Sequence, residues 1–367
     1  MPRTLKKPLP ARASEEPRVR APRRKLVTHT IHDVAALAGV SSITVSRYFN
    51  APDKVSQAVR ERLREVIAAT GYVPSQVAGR LASGQARVVG AVMQNTASTT
   101  FADLVRGMTD GFDTAGLQLL LANTDYSQQL EERAVRAFAG WHPSALIVTR
   151  DDHTPDTEAL LRAVRAPIVE TWGLVPGRPF HQVGFPHDQV GVELARHFIE
   201  QGAKRIRFAM RPVSQDFRAQ QRAMGYAAAM RDAGLKIDIV TTTEAADEFE
   251  AGAEVMRRLQ QEPRRTRAQA IVFANDSMAA GAILQAPSLG LQLPSDCAVS
   301  GFGDAPIAAH LRPALTTMRP APYEIGMKAA RLVLELMAQG PQREPIPRQL
   351  HVVPCRLVVR DSSRIFR

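Results

Sequence analysis

The chain has 367 residues, a formal net charge of +11 and 45% hydrophobic residues. This length and apolar content exclude a wholly disordered chain, because they suffice for a small module and one or two α/β domains, each with its own core. Two cysteines, Cys297 and Cys355, are too few for a disulfide framework or a four-ligand zinc site, so we expect no metal, no cofactor and a reducing cytoplasm.

The N-terminal 29 residues are rich in Pro and Arg and lack helical or strand periodicity, so we predict a disordered basic arm over 1–29. Residues 1–25 hold nine Lys or Arg against Glu15 and Glu16, a net charge of +7, which leaves +4 for the rest. Such a run is typically a solvated tail, but beside a nucleic-acid-binding element it would also attract phosphate groups. No apolar run has the length of a signal peptide or membrane span, so we expect a cytoplasmic protein without membrane contact.

Residues 30–73 predict three short amphipathic helices that form one compact head. Thr30, Ser41 and Ser56 are suited to begin the helices, and Gly39 and Gly71 are suited to end the first and third. The predicted inward positions are Ile31, Val34, Ala35 and Ala38, then Val45 and Phe49, then Val59, Leu63, Val66 and Ile67.

The next segment, 74–86, contains SQVAGRLASG. Its apolar residues are too few, and it is too short, for a stable isolated helix. We predict a linker that forms a helix only against a partner.

From residue 87 onward, apolar runs of strand length alternate with helical segments. The predicted strands cover 88–93, 117–123, 145–149, 166–170, 205–210, 268–276 and 297–303, and the predicted helices cover 101–115, 127–140, 188–201, 219–233 and 277–284. This alternation is typical of βαβ units in parallel sheets covered on both faces. The length favours two doubly wound lobes with a cleft between them.

The first two helices have the pattern of a helix-turn-helix, whose second helix reads base edges in the major groove. Its exposed residues are Ser42, Ile43, Ser46 and Arg47. Ile43 can contact a thymine methyl group, and the guanidinium fork of Arg47 suits guanine or phosphate oxygens. The alternative is an ordinary three-helix packing unit in which Arg47 is only solvated.

The head resembles the DNA-binding domain of the LacI/GalR family. The resemblance rests on Asp33-Val34-Ala35, on A-G-V-S at 38–41, on T-V-S-R at 44–47 and on Val55-Ser56. It implies a homodimeric regulator that binds double-stranded operator DNA and a small-molecule effector. The implied DNA-binding residues are Thr30, Ser41, Ser42, Ile43, Thr44, Ser46, Arg47, Asn50, Ala78 and Leu81.

The linker is similar to the hinge of that family, in which paired helices insert a leucine into the minor groove. Leu81 stands at the matching position, with Ala78 beside it. An apolar wedge of this kind offsets base unstacking by allowing a bent duplex to make more contacts. The alternative is that Leu81 packs within a linker helix.

The family resemblance continues to about Leu357 and implies a periplasmic-binding-protein-like core with chain crossings near Phe185, Thr316 and Pro345. The expected N-lobe covers 87–185 and 317–344, the expected C-lobe covers 186–316 and 345–361, and 362–367 form a tail. Ligands in such sheets lie beyond the carboxyl ends of the strands. From these strand ends and the family's pattern, the expected effector-binding residues are Gln94, Phe101, Tyr126, Thr149, Arg150, Trp172, Arg222, Asn275 and Asp276.

Two departures from the family's pattern limit how far its effector contacts can be assigned to this chain. Pro186-His187 replaces an Asp-Asn pair, and Gly303 replaces an Asp. A narrower resemblance to the gluconate-repressor subgroup, carried by His153-Thr154-Pro155 and Val183-Gly184-Phe185, implies a sugar acid as effector. Arg150 and Arg222 would then bind its carboxylate.

Three alternatives remain weaker. An enzyme would need an activated nucleophile or an acid and base pair, but the sequence has no phosphate loop, nucleophile elbow or zinc motif. Asp151-Asp152-His153 could suggest a metal cluster, although we expect a solvated loop. A periplasmic solute-binding protein would not carry the helix-turn-helix head.

Overall fold

A computed structural model describes residues 29–74, 87–96, 99–212, 216–242, 247–340 and 347–365. The chain forms two compact units, one up to Gly84 and one from Gln85 onward. Most of the predicted arm, together with Ala78 and Leu81 of the predicted hinge, lies outside the described residues. Across the described ranges, no helix combines the length and apolar character that a membrane crossing requires.

The first unit contains the three predicted helices: α1 (Ile31–Ala38), α2 (Ser42–Asn50) and α3 (Gln57–Thr70). Thr30 and Asp33 form a capping box at the start of α1, in which the Thr30 backbone N–H donates to Asp33 Oδ2 at 2.7 Å. Gly39 ends α1 with φ of 63°, a left-handed conformation that glycine adopts without a steric penalty. Val34, Ala35, Ala38, Val45 and Leu63 form the buried core.

The inward position predicted for Phe49 is wrong, because 39% of its surface is exposed. Tyr48 packs against the core instead. Tyr48 and Phe49 follow the buried Val45 by three and four residues, and both spacings are compatible with the inward face of a helix. In this head Tyr48 takes the inward position. Phe49 covers the edge of Tyr48, with ring centroids 5.1 Å apart.

The second unit contains two six-stranded sheets with helices on their faces. The strands are β1 (Val88–Met93), β2 (Gln118–Asn123), β3 (Ala145–Val148), β4 (Ile168–Gly173), β5 (His181–Phe185), β6 (Ile206–Met210), β7 (Ile239–Thr241), β8 (Ala270–Phe273), β9 (Ala298–Phe302), β10 (Thr316–Arg319), β11 (Leu350–Val352) and β12 (Arg356–Val358). The helices are α4 (Thr99–Asp113), α5 (Gln128–Gly140), α6 (Pro155–Ala163), α7 (His187–Glu200), α8 (Phe217–Asp232), α9 (Glu248–Gln261), α10 (Asp276–Gln285) and α11 (Pro322–Ala338).

The strand order is β11-β5-β4-β3-β1-β2 in the first sheet and β12-β10-β9-β8-β6-β7 in the second. All described pairs in the first sheet are parallel. In the second sheet, the edge strand β12 runs antiparallel to β10. The predicted architecture of two doubly wound sheets is confirmed, with this one antiparallel edge as the difference.

The chain crosses between the sheets three times. The first crossing follows β5, near Phe185 as predicted, and the second follows Arg319, since all of β10 lies in the second sheet. The third lies between Val352 and Arg356 and not near Pro345, because β11 pairs with β5. Strands of three residues carry too little periodicity to be placed from sequence.

The predicted tail also begins too early. Ser362 and Ser363 are buried, and Ser362 Oγ donates to the Val299 carbonyl at 2.7 Å while it accepts from the Thr316 N–H at 2.8 Å. These hydrogen bonds attach residues 361–363 to β9 and β10 of the second sheet.

Three pairs of helices pack so closely that glycine is needed on both sides of the contact. A Cβ atom on any of these glycines would overlap a backbone atom of the facing helix. The pairs are Gly107 with Gly326 between α4 and α11, Gly191 with Gly225 between α7 and α8, and Gly252 with Gly281 between α9 and α10. Well-packed backbone cannot move aside as a flexible side chain can.

We expect Gly252→Ala to lower the free energy of unfolding by about 1–3 kcal/mol, because the added methyl group would overlap the Met278 carbonyl oxygen. Urea denaturation followed by circular dichroism would measure this loss. Gly140→Ala is the control, since a Cβ there meets nothing within 4 Å and alanine favours a helix. Equal stability of the two variants would contradict the close-packing argument.

Candidate functional site

Helix α2 presents a mixed polar and apolar surface to solvent. Ile43 is 62% exposed, so its side chain lies outside the core of the head. Arg47 is exposed one turn further along the same helix, while Ser42 and Ser46 are half-buried beside them. The four residues predicted to face DNA therefore lie together on α2.

Other residues predicted to contact DNA have structural partners within the head. Ser41 Oγ accepts from the Thr44 N–H at 3.2 Å and bonds to Thr44 Oγ1 at 2.9 Å, which caps α2. Thr30 caps α1. Asn50 Nδ2 donates to the Ser46 carbonyl at 3.0 Å. These side chains hold α1 and α2 in shape, and their DNA contacts stay a prediction.

In the second unit, Arg218 of α8 joins the two sheets. Its guanidinium donates to Gln94 Oε1 and to the Thr149 carbonyl, both at the ends of strands in the first sheet. Arg218 is only 3% exposed. Burial lowers the pKa of Arg218, and the nearby Asp151 carboxylate acts in the opposite direction. Two residues predicted to bind an effector thus contact a buried arginine from the other lobe.

Arg150 makes a second contact across the cleft. Its guanidinium carbon lies 4.6 Å from the centre of the Phe217 ring, which begins α8. Within its own lobe it donates to the Tyr126 carbonyl at 2.7 Å and to Asp152 Oδ2 at 2.7 Å. Because Phe217 also stacks with Arg218 at 4.7 Å, one aromatic ring lies against two guanidinium groups.

Arg222, one helical turn after Arg218, lies in a second buried cluster. It donates to Asp216 Oδ2 at 2.9 Å and bonds to His187 Nδ1 at 3.0 Å, and its guanidinium lies 4.4 Å from the centre of the Phe302 ring. Burial and the charges of Arg222 and Arg218 lower the pKa of His187 well below its usual range. A neutral imidazole can accept from Arg222, so the departure at His187 supplies a partner for this arginine.

Aromatic rings form a continuous wall near these arginines. The Trp172 ring lies 5.4 Å from that of Phe101 and 5.4 Å from that of Phe185. Phe185 in turn contacts His187 at 4.6 Å. Trp172 has φ of 80°, a left-handed conformation that is strained for a bulky residue and is often found at functional sites.

Asn275 and Asp276, at the start of α10, also have structural partners. Asn275 caps the helix and donates to Glu248 Oε1 at 3.0 Å. Asp276 accepts from Thr317 Oγ1 at 2.5 Å and from the Ala305 N–H at 2.7 Å. Burial raises the pKa of Asp276 to about 6, against the effect of these hydrogen bonds. Asp276 therefore joins α10 to the strands beside it.

Several polar atoms in the cleft are buried without a partner in the described part of the chain. They include the nitrogen donors Gln94 Nε2, Arg218 Nε and Arg222 Nε and the acceptor Asp151 Oδ2. Arg218 Nε and Asp151 Oδ2 both face the position that a side chain at Gly173 would occupy. Buried polar groups without partners are rare in folded proteins and point to a missing ligand or water.

Sequence reasoning missed Arg218 and misjudged His153. Arg218 lies four residues before Arg222, a spacing that places both on one helix face and could have revealed it. His153 was expected in a solvated loop, but its side chain is fully buried between Glu131 and Glu170. Among the described residues, no group of three or more His, Cys, Asp or Glu could hold a metal ion.

Comparison with known proteins supports the division into a head and a core. Residues 30–75 match the family model of bacterial regulatory proteins of the lacI family. Residues 195–363 match the model of the periplasmic binding protein-like domain. The first match covers the three-helix head, and the second covers all six strands of the second sheet.

Similar proteins match along most of the chain. The ribose operon repressor of Escherichia coli is 30% identical over 313 residues, which cover 84% of this chain and 93% of that protein. The HTH-type transcriptional regulator GntR of Escherichia coli is 27% identical over 83% of this chain and 90% of its own length. A crystal structure of a LacI family transcriptional regulator from Silicibacter pomeroyi superimposes with a TM-score of 0.80 at 27% identity, covering 92% of this chain and 100% of that one. The chain therefore belongs to the LacI family and is a DNA-binding transcriptional regulator, not an enzyme.

Proposed function

We propose that the chain is a repressor that a small sugar acid, such as gluconate, releases from its operator. The observation that carries this proposal is the set of buried, unpartnered donors in the cleft, Gln94 Nε2, Arg218 Nε and Arg222 Nε. A ligand rich in acceptor oxygens would satisfy all three.

The chemistry of the donors favours an anionic group. A carboxylate has only acceptor sites, and its hydrogen bonds to guanidinium groups are roughly twice as strong as neutral ones. Asp151 Oδ2, a buried acceptor without a hydrogen-bond partner among the described residues, can accept a hydrogen bond from a hydroxyl group of the ligand. Aromatic walls at Trp172 and Phe302 can cover the apolar face of a carbon chain. Together these groups suit a polyhydroxy acid.

Two further candidates remain for the effector. The ribose operon repressor, 30% identical to this chain, favours a neutral sugar in the same cleft. A corepressor that strengthens operator binding would use the same residues with the opposite sign. The resemblance to the gluconate-repressor subgroup at His153-Thr154-Pro155 supports the acid.

In the proposed mechanism, two chains pair through their cores and place two heads on the half-sites of a pseudo-palindromic operator. The effector shifts the population toward a form of the core that binds DNA poorly. Such a shift requires that the effector bind the two forms with different affinity. Arg218 and Arg150 contact residues of the opposite lobe, so a ligand that engages their guanidinium groups can alter how the lobes pack.

Calorimetric titration identifies the effector. We expect the dissociation constant to be lowest for gluconate, 2-ketogluconate or 6-phosphogluconate and much higher for neutral sugars. Mobility shifts on a fragment of the protein's own promoter, with and without the bound acid, then give the sign of the response. Preferential binding of a neutral sugar or a purine would refute the sugar-acid proposal while leaving the regulator assignment intact.

We predict that Arg222→Lys weakens binding of the sugar acid about 10–100-fold, because lysine keeps the charge but loses the planar fork and its charged hydrogen bonds. Operator binding without ligand should be unchanged. Arg136→Lys is the matched control, since Arg136 is exposed and pairs with Glu132 on the same helix. Calorimetry on both variants, with thermal melting to verify folding, makes the comparison. Equal affinity of the two would exclude Arg222 from the site.

We predict that Arg47→Ala lowers affinity for the operator by about tenfold or more, in line with the loss of one good arginine contact to a base. Arg47 is exposed, so the head should remain folded. Arg64→Ala on α3 is the control, because Arg64 is equally basic and exposed and pairs with Glu61. A mobility-shift titration of both variants on operator and random duplex separates specific from nonspecific loss. A uniform loss on both DNAs would instead assign Arg47 to phosphate.

A further inference from the structure

The loop that links β3 to α6, residues 149–154, carries four consecutive charged or titratable side chains from Arg150 to His153. Arg150 and Asp151 are buried on the cleft side, near Phe217 and Arg218 of the other lobe. His153 contacts different groups, inside the first lobe. The loop therefore has one end in the cleft and one end in the lobe interior.

His153 lies between two buried glutamates. Its Nδ1 is 3.0 Å from Glu131 Oε1 in the first turn of α5, and its Nε2 is 3.4 Å from Glu170 Oε1 in β4. All three side chains are at most 1% exposed. The imidazole also packs edge-on against Phe180, with centroids 6.4 Å apart. A single side chain thus connects the loop to a helix and to the centre of the sheet.

The two glutamates differ in how much they depend on His153. Glu170 also accepts from Arg178 Nη2 at 2.7 Å and from Gln182 Nε2 at 2.7 Å. For Glu131, the imidazole at 3.0 Å is the one charged partner in the described part of the chain. Removal of the imidazole would leave Glu131 as a buried charge without compensation, which is strongly unfavourable.

Charge counting around the imidazole supports its protonated form. The carboxylates that face it or its partners are Glu131, Glu158 and Glu170, and the guanidinium groups are Arg162 and Arg178. Asp151 and Asp152 of the loop are matched by Arg218 and Arg150. Burial lowers the pKa of His153, but the hydrogen bonds and charges of Glu131 and Glu170 outweigh it and raise that pKa to about 9. The two guanidinium groups and the imidazolium together balance the three glutamates.

The loop is also fixed at its other points. Gln128 Nε2 donates to the Asp152 carbonyl at 2.6 Å, and Thr154 caps α6 by accepting from the Thr157 N–H at 3.2 Å. Within the same lobe the Arg150 guanidinium donates to the Tyr126 carbonyl, and the His153 imidazolium attaches the loop to Glu131 and Glu170 in the lobe interior. A displacement at His153 would be transmitted over two or three residues to Asp151 and Arg150.

We propose that His153 is a positioning residue of the effector site, which holds the 149–154 loop so that Arg150 and Asp151 face the ligand. The inference rests on the proposed function for the identity of the ligand, but the anchoring itself does not. Binding groups must be held by such supporting residues to within a fraction of an ångström. His153 itself does not contact the ligand.

The first test uses stability and needs no ligand. The variants are His153→Gln, Glu131→Gln and the double variant, which removes one charge of each sign, with His310→Gln at an exposed site as control. Because the pKa of His153 rises from 6.5 to about 9 on folding, its stabilising contribution is fully present below about 6.5 and is lost as the pH rises through about 9. Urea denaturation should show this loss in the wild type and in His310→Gln but not in the double variant. If the wild type and the double variant lost the same stability as the pH rises, the proposed charge pair between His153 and Glu131 would be refuted.

The second test measures the loop and the ligand separately. In His153→Gln, hydrogen exchange of the amides of residues 150–153 should be faster, and gluconate should bind about tenfold or more weakly, as expected when a buried charged partner is lost. The double variant should recover both properties. If His153→Gln does not fold, the double variant and the pH series decide the question.

A wrong ligand and a wrong role for His153 give different results in these experiments. If the wild type does not bind gluconate while His153→Gln still loosens the loop amides, the proposed ligand is wrong and the positioning role stands. If His153→Gln has the loop exchange and gluconate affinity of the wild type, the positioning role is refuted even though the ligand is right.

Discussion

A guanidinium group that leaves water must find acceptors inside the protein, and in this core Arg218 finds them across the cleft. Its donors reach Gln94 and the Thr149 carbonyl in the first sheet, while its backbone belongs to α8 in the second lobe. The cost of burying an unpaired charge is several kcal/mol. The packing of the two lobes is therefore coupled to how the cleft arginines are satisfied, and a ligand that offers new acceptors enters that same balance.

The 149–154 loop connects the cleft to the interior of the first lobe through charged side chains. Arg150 and Asp151 face the cleft, and His153, two residues later, pairs with Glu131 and Glu170 behind them. Charges buried in a low dielectric interact strongly with one another, so the loop is held by groups on both sides. This arrangement explains why three of the four polar side chains, those of Arg150, Asp151 and His153, are buried and not solvated.

In the DNA-binding head, several polar residues stabilise the helices of the head itself. Thr30 and Ser41 accept hydrogen bonds from the free backbone N–H groups at the starts of α1 and α2. Loss of such a cap lowers the stability of a small domain. The exposed Ile43 and Arg47 have no such role within the head. Side chains of this second kind are the ones that a partner can use.

Features that depend on local pattern could be predicted from the order of the residues alone. Helical periodicity and capping residues defined the three helices of the head, and the alternation of apolar runs with helical segments predicted two parallel sheets and the strand ends that carry Gln94, Thr149, Arg150 and Trp172. These features arise from interactions between residues a few positions apart, which a single sequence displays directly.

Which polar groups face one another depends on the assembled fold. Arg218 lies 124 residues from Gln94, His153 is buried because α5 and β4 bring Glu131 and Glu170 to it, and the third crossing follows from the pairing of β11 with β5. The local sequence of a charged loop is the same whether water or buried carboxylates surround it. Its environment is set by contacts distant in the chain, and those contacts exist only once the sheets are assembled.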